Sequence, residues 1–359
     1  MRGKVNFSRL EMLLTEKYMH RCLELAKEGA GKVSPNPMVG CVIVHRGVII
    51  GEGYHEKYGE AHAEMNAINS VGNQELLKNS ELYVTLEPCA HYGLTPPCSN
   101  LIIEKQIPKV LVGTIDPFAE VAGKGIERMR KAGIDVQVGI LENECREINK
   151  RFFTFHEKKR PYIFLKWAQT NDGFIDIDRS SEQYGQPFWI TGGEGLKRVH
   201  QMRAEEDAIM VGTETALKDN PSLTVRHVNG KNPIRIVLDN QLRLPKSLNL
   251  FDYSTPTFVF NSLKNQSDRN LTFIQIDFNE NVPYKIMDEL YRQNIQSVII
   301  EGGKQLLESY LKIGLWDEAF VFVGDKEFHS GIAAPQSPEQ LAHFEMLGKD
   351  ELYIYRNLF

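Results

Sequence analysis

A chain of 359 residues, 42% hydrophobic and 25% charged, is long enough for two domains with full cores and has the composition of a globular protein. No apolar run reaches the 18 residues of a membrane span, and residues 1–15 lack the apolar core and cleavage site of a signal peptide, so neither membrane insertion nor export is expected. A net charge of −5 argues against nucleic acid as the main partner, and five cysteines, an odd number, argue against a disulfide framework and for a reducing cytoplasm.

Residues 11–29 carry Leu13, Leu14, Tyr18, Leu23 and Leu25 at helical spacing, and Pro35-Asn36-Pro37 closes that helix. Strands are expected at 39–44 and 48–52, joined by a turn at His45-Arg46-Gly47. His62 and Glu64 open a helix through Ile68, a strand follows at 82–86, and Pro96-Pro97-Cys98 starts another helix. A strand at 110–114, a helix at 125–132 and a strand at 135–138 complete a first α/β domain over residues 1–149, the charged stretch 152–160 reading as a connector. The second domain, 150–359, shows strands at 162–167, 208–211, 234–238, 257–260, 273–276, 297–300 and 319–323, with helices at 194–204, 284–294 and 304–313. The chain shows no internal repeat, so the halves are different domains.

The chemistry lies in His62-Ala63-Glu64 followed by Pro88-Cys89 and Cys98. One imidazole and two thiolates suit Zn²⁺ and leave a fourth position for water, whose pKa the metal lowers. Glu64 is placed to move protons between that water, a ring nitrogen and leaving ammonia. This is the layout of a zinc-dependent deaminase. His-x-Glu alone is weak: His343-Phe344-Glu345 repeats the form, lacks the cysteines and reads as a chance surface match. A competing reading is a structural zinc site with His91 as fourth ligand, and with it a zinc-stabilised binding module without catalysis.

In the second half, Ile300-Glu301-Gly302-Gly303-Lys304 runs from strand through a double glycine into a helix, a plausible phosphate cradle or equally a bare turn. Val211-Gly212-Thr213-Glu214-Thr215 sits at another strand end. Asp219-Asn220-Pro221 with Arg226 brings an acid, a turn and a guanidinium together, and Arg203 and Arg226 are candidates to grip a phosphate. Trp167 and Trp189 read as core aromatics.

Longer motifs carry a resemblance over nearly the whole chain. They are Ser34-Pro-Asn36-Pro-Met-Val-Gly40, Gly53-Tyr-His55, Gly59-Glu-Ala-His62-Ala-Glu64, Thr85-Leu-Glu-Pro-Cys89-Ala-His91-Tyr-Gly93-Leu-Thr95-Pro-Pro-Cys98, Asp116-Pro117 and Val121-Ala-Gly-Lys-Gly125. Asp172-Gly173, Trp189-Ile-Thr191, Met202-Arg203-Ala204, Thr215, Asp219-Asn-Pro221, Leu223-Thr-Val-Arg226 and Glu301-Gly302-Gly303 continue them. The sequence resembles the bifunctional riboflavin-biosynthesis enzymes, a pyrimidine deaminase fused to a pyrimidine reductase. The resemblance implies a cytidine-deaminase-like α/β/α sandwich followed by a dihydrofolate-reductase-like α/β domain.

It further implies zinc on His62, Cys89 and Cys98, catalysis by Glu64, and NADPH as second cofactor. Ala168, Trp189, Thr215, Asp219, Asn240, Gly302 and Gly303 would touch NADPH. Asn36, His55, His91, Lys166, Arg203, Leu223, Arg226 and Glu301 would touch a small pyrimidine ribose-phosphate. A homo-oligomer is implied too. The chain departs from the family at Leu94, usually Lys or Arg, at Pro187, usually Ser, at Leu196, often Arg, and at Thr170-Asn171, commonly Ser-Leu. The alternative within enzymes is a deaminase of another nucleobase fused to a degenerate reductase domain.

Overall fold

The computed structural model describes residues 9–90, 96–118, 121–185 and 188–358. His91, Leu94 and Pro187 lie outside the described residues. The chain divides into two compact units, Met1–Lys158 and Lys159–Phe359.

The first unit runs α1 (Arg9–Lys27), β1 (Gly40–His45), β2 (Val48–Tyr54), α2 (Ala63–Ser70), β3 (Glu81–Leu86), α3 (Cys98–Glu104), β4 (Lys109–Thr114), α4 (Lys124–Lys131), β5 (Asp135–Val138), α5 (Glu142–Ile148) and α6 (Lys150–Lys158). Its five strands lie in the order β2-β1-β3-β4-β5, antiparallel from β2 to β3 and parallel from β3 to β5. Strand alternation sorts the core into two layers. Cys41, Ile43, Leu82, Val84, Val110 and Val112 face α2, α3 and α4, while Val42, Val44, Tyr83 and Leu111 face α1 and α5. This is the expected α/β/α sandwich.

Glycines let helices touch this sheet. A Cβ on Gly40 would lie 2.0 Å from Cys22 O in α1, and one on Gly53 would lie 2.3 Å from Ala67 N in α2. The expected connector at 152–160 is instead mostly helix. Its lysines and arginine masked a buried face in which Phe152 and Phe153 pack with Leu86, so the first unit extends to Lys158 beyond the expected boundary at 149.

The second unit contains β6 (Tyr162–Thr170), β7 (Phe174–Asp176), α7 (Gly193–Glu205), β8 (Ala208–Val211), α8 (Thr213–Asp219), β9 (Ile234–Leu238), β10 (Thr257–Asn261), β11 (Gln266–Asp268), β12 (Leu271–Gln275), α9 (Val282–Arg292), β13 (Ser297–Gly302), α10 (Lys304–Lys312), β14 (Glu318–Gly324), β15 (Ile332–Ala333), β16 (Leu341–Leu347) and β17 (Asp350–Arg356). Ten strands form one sheet in the order β11-β12-β10-β9-β8-β13-β6-β14-β17-β16. The run from β12 to β14 is parallel, and β11 and the β17–β16 hairpin add antiparallel edges. Helices α9 and α10 cover one face against Leu165, Met210, Ile236 and Ile300, and α7 and α8 cover the other against Phe164, Val211, Val237 and Phe322. Parallel strands covered on both faces read as continuous apolar runs, which is why Val298–Ile300 stood out in the sequence.

On α7, His200 is fully buried, and its Nδ1 accepts the backbone N–H of Arg226 at 3.1 Å. Burial, then the charges of Arg203, His227 and Arg226, pull its pKa down to about 4.

Two predictions follow from packing and burial. Gly53→Ala should destabilise the first unit by about 1–3 kcal/mol, read as a lower urea midpoint, because Ala67 must move. As pH falls from about 6.5 to about 4 the unfolded chain protonates His200 first, so unfolding free energy should fall through that window. Asn can keep an acceptor at the Nδ1 position without titrating. His200→Asn should therefore show a shallower loss of unfolding free energy than wild type in urea titrations at pH 6.5, 5.5 and 4.5.

Candidate functional site

In the first unit the site forms where α2 and α3 begin. His62 is the N-cap of α2 and Glu64 lies in its first turn, while Cys98 is the first residue of α3. Cys89 follows β3 on the chain. Cys98 N–H donates to Cys89 Sγ at 3.2 Å, and Ser99 N–H and Oγ–H donate to Cys89 O at 3.2 and 2.9 Å. Amides at a helix start suit a thiolate by both hydrogen bonding and the helix dipole.

The donor atoms of His62, Cys89 and Cys98 all lie within 4.8 Å of one another. His62 Nδ1 is 3.6 Å from Cys89 Sγ and 3.4 Å from Cys98 Sγ. Tetrahedral zinc with ordinary Zn–N and Zn–S bonds separates nitrogen from sulfur by about 3.6 Å, so the donor set fits the metal. No fourth protein ligand joins this group among the described residues. The Cys89 thiol is held well below its ordinary value, first by the Cys98 side chain and also by His62. Burial pushes the Glu64 carboxyl up to about 7, with His62 opposing.

His55 is buried beside His62, their ring centroids 5.3 Å apart. His55 Nδ1 lies 3.1 Å from Ala61 O, an acceptor, so Nδ1 carries the hydrogen and Nε2 accepts from Asn36 Nδ2 at 3.1 Å. Burial lowers the pKa of His55, in keeping with this neutral tautomer. Asn36 and His55 are thus brought together beside the His62 cluster.

In the second unit the sequence-derived residues gather around β13. Glu301 is paired by Lys166 Nζ at 3.0 Å and by Arg203 Nη2 at 2.6 Å. Burial alone would raise the Glu301 carboxyl, but Arg203 and Lys166 hold it at about 2. Arg203 also donates to Thr224 O, so its guanidinium is engaged, whereas Arg226 is exposed. Leu223 is buried with φ +52°. A Cβ on Gly302 would lie 2.9 Å from Thr215 Cγ2, and Gly303 has φ +79° and caps α10. Strand end, double glycine and helix start thus leave open main-chain amides of the kind that suit a phosphate.

Asp219 ends α8, and its Oδ1 pairs with Arg179 at 2.8 Å. Arg226, which the sequence placed near this acid, instead uses its backbone N–H on His200. Asn240 follows β9 and accepts the Ser262 N–H at 3.0 Å. Ala168 lies on β6 opposite Phe322 of β14. Trp189 corrects an expectation: it is 52% exposed, whereas Trp167 is in the core as expected. Sequence reasoning passed over Arg179, which pairs with Asp176 three residues before it as well as with Asp219, and His200, which accepts from Arg226.

Comparisons with known proteins agree with this arrangement. A family model described as the cytidine and deoxycytidylate deaminase zinc-binding region matches residues 12–114, and one described as the RibD C-terminal domain matches residues 161–327. The riboflavin biosynthesis protein RibD of Aquifex aeolicus is 42% identical over 325 residues, covering 89% of each chain. That of Escherichia coli is 36% identical over 328 residues, covering 87% of this chain and 88% of its own. The crystal structure of a diaminohydroxyphosphoribosylaminopyrimidine deaminase/5-amino-6-(5-phosphoribosylamino)uracil reductase from Thermotoga maritima is 37% identical, with a TM-score of 0.86 over 97% of this chain and 99% of that one. Matched in both halves and across nearly all of its relatives' length, the chain belongs to the RibD family of bifunctional riboflavin biosynthesis enzymes, a deaminase joined to a reductase.

Proposed function

We propose that the first unit hydrolyses the ring amine of 2,5-diamino-6-ribosylamino-4(3H)-pyrimidinone 5′-phosphate, and that the second reduces the ribosyl group of the product to ribityl with NADPH. The final product is 5-amino-6-ribitylaminouracil 5′-phosphate. The observation that carries the first step is the three-donor cluster of His62, Cys89 and Cys98 with buried Glu64 two residues after the histidine.

His62, Cys89 and Cys98 hold zinc, which when bound supplies the Lewis acidity that lowers the pKa of water. Glu64 accepts a proton from the attacking water and delivers it to the ring nitrogen, then takes the proton of the newly added hydroxyl and delivers that one to the departing amine, which leaves as ammonia. A carboxyl pushed up to about 7 by burial is matched to both giving and taking that proton near neutrality. Asn36 and His55 contact base or ribose.

In the second unit Ala168, Trp189, Thr215, Asp219, Asn240, Gly302 and Gly303 hold NADPH, which when bound supplies a hydride. The glycine-led start of α10 supports phosphate binding there. Lys166, Arg203, Leu223, Arg226 and Glu301 face the substrate. Glu301 fixes the two cations, and exposed Arg226 is available to the 5′-phosphate.

A deaminase of another base beside a degenerate reductase half is disfavoured, because the reductase family model spans 161–327 and the half-buried Lys166–Glu301–Arg203 triad is present. The same reading includes a cytoplasmic location, supported by five free thiols. It also includes a homo-oligomeric state, supported by family resemblance, and no nucleic-acid partner, supported by the net charge of −5.

Zinc-loaded protein given the diaminopyrimidinone phosphate should release ammonia and then consume NADPH in one tube. Ammonia absent with zinc fully bound would refute the first step. Glu64→Gln should keep its zinc and lose deamination by about 10²–10⁴-fold. Glu301→Gln should leave ammonia release intact and abolish NADPH oxidation, since it removes the anion that orients Lys166 and Arg203.

A further inference from the structure

Glu87 is a buried carboxylate that the two reactions do not use. It sits one residue past the end of β3 and two before Cys89, and it is 3% exposed. Its Oε1 accepts the N–H of Gly125 at 2.9 Å and of Ile126 at 3.2 Å. Its Oε2 accepts the N–H of Gly123 at 2.8 Å and of Asp116 at 3.4 Å. Three of these four amides form the start of α4, whose N-cap, Gly123, has no side chain of its own to cap it. Glu87 is therefore the cap of α4, supplied from another part of the chain.

The approach is close. A Cβ on Gly125 would lie 2.0 Å from Pro88 O and 3.2 Å from Glu87 Oε1. Glu87 N–H meanwhile donates to Thr114 O at 3.0 Å, so the main chain of this residue is pinned to the end of β4. Two residues on, Cys89 is pinned by the amides that start α3. The tripeptide Glu87-Pro88-Cys89 is thus gripped at one end by α4 and at the other by α3, with a proline between them to limit its freedom.

We infer that Glu87 is a positioning residue for the metal centre: its carboxylate, bound by the amides of α4 and of Asp116, fixes where Cys89 Sγ stands relative to His62 and Cys98. It acts through the backbone and touches neither substrate nor metal ligand atoms. The inference rests on the reading of His62, Cys89 and Cys98 as zinc ligands. It gives a role to the main-chain N–H groups of Asp116 and Gly123 and to the absence of a side chain at Gly125, which the zinc chemistry leaves unexplained.

The test compares wild type, Glu87→Gln and Glu87→Asp in the full chain. Glutamine keeps the volume but turns an NH₂ toward main-chain N–H groups that need an acceptor. Zinc affinity, measured by competition with a chromophoric chelator, should fall by about 10–100-fold in Glu87→Gln. In the cobalt-substituted protein the thiolate-to-metal charge-transfer and d–d bands should shift, a readout of ligand geometry that a mere loss of stability does not move. Glu87→Asp, which keeps the charge, should recover part of both, and it carries the same readouts if Glu87→Gln does not fold. NADPH oxidation by the second unit on pre-deaminated substrate should be unchanged in every variant that folds. Wild-type zinc affinity and cobalt bands in Glu87→Gln would overturn the inference, even with a lowered melting temperature. Failure of the wild-type protein to bind zinc or cobalt would instead overturn the ligand assignment beneath it.

Discussion

Main-chain amides at helix starts carry the buried anions of the deaminase half. A thiolate or carboxylate removed from water costs several kcal/mol unless donors replace the solvent. Few cationic side chains serve there: Cys89 takes the amide of Cys98, and Glu87 takes those of Gly123, Gly125 and Ile126. Amides are short donors, so the helix must approach the anion-bearing segment to within a hydrogen bond. That demand places glycine at Gly125, where a Cβ would lie 2.0 Å from Pro88 O. The same economy of space recurs where Gly40 and Gly53 let α1 and α2 rest on the sheet. In the second unit the double glycine before α10 frees amides in the same manner.

Most of the fold was legible because its strands are buried on both faces or alternate cleanly. Val110–Thr114 and Ser297–Ile300 are apolar runs of strand length bounded by turn residues, and both are strands. What escaped was local structure with a mixed signal. The helix Lys150–Lys158 hid behind its lysines, although Phe152, Phe153 and Phe155 are buried. The β16–β17 hairpin has an edge strand on which Leu341, Phe344 and Met346 are exposed, so apolar residues there do not mark a core face. Strands β7, β11 and β15 span only two or three residues, too few for any period to show.

The cluster of His62, Cys89 and Cys98 was legible for a different reason: its spacing is local. His62-Ala63-Glu64 stands where a helix begins, and both thiols arrive within forty residues on segments that fold onto that point. The repeat at His343-Phe344-Glu345 lies on an edge strand, where i and i+2 share a face but no cysteine is near in the chain. Spacing gives nothing comparable for the reductase half. Glu301 meets Lys166 across 135 residues and Arg203 across 98, and no local pattern encodes those pairings. The Arg179–Asp219 pair was missed on the same ground, and Trp189 was misread because an aromatic in isolation says nothing about which side of it is solvent.

Each half encloses one glutamate among the residues proposed for its reaction, and their surroundings displace the two carboxyls in opposite directions. Burial at Glu64 outweighs the imidazole of His62, a main-chain amide and the Cys98 side chain, and its carboxyl is pushed up to about 7. Glu301 sits between Lys166 and Arg203, and those charges overcome the same desolvation to hold it at about 2. A group near 7 exchanges protons readily at neutral pH, whereas a group near 2 stays an anion throughout any reaction run there. On the proposed reading, upward displacement suits Glu64 to proton exchange, while Glu301, paired with Lys166 and Arg203, holds those two cations in place. Hydrolytic deamination moves several protons and no hydride, while reduction of a sugar needs a fixed field and a delivered hydride.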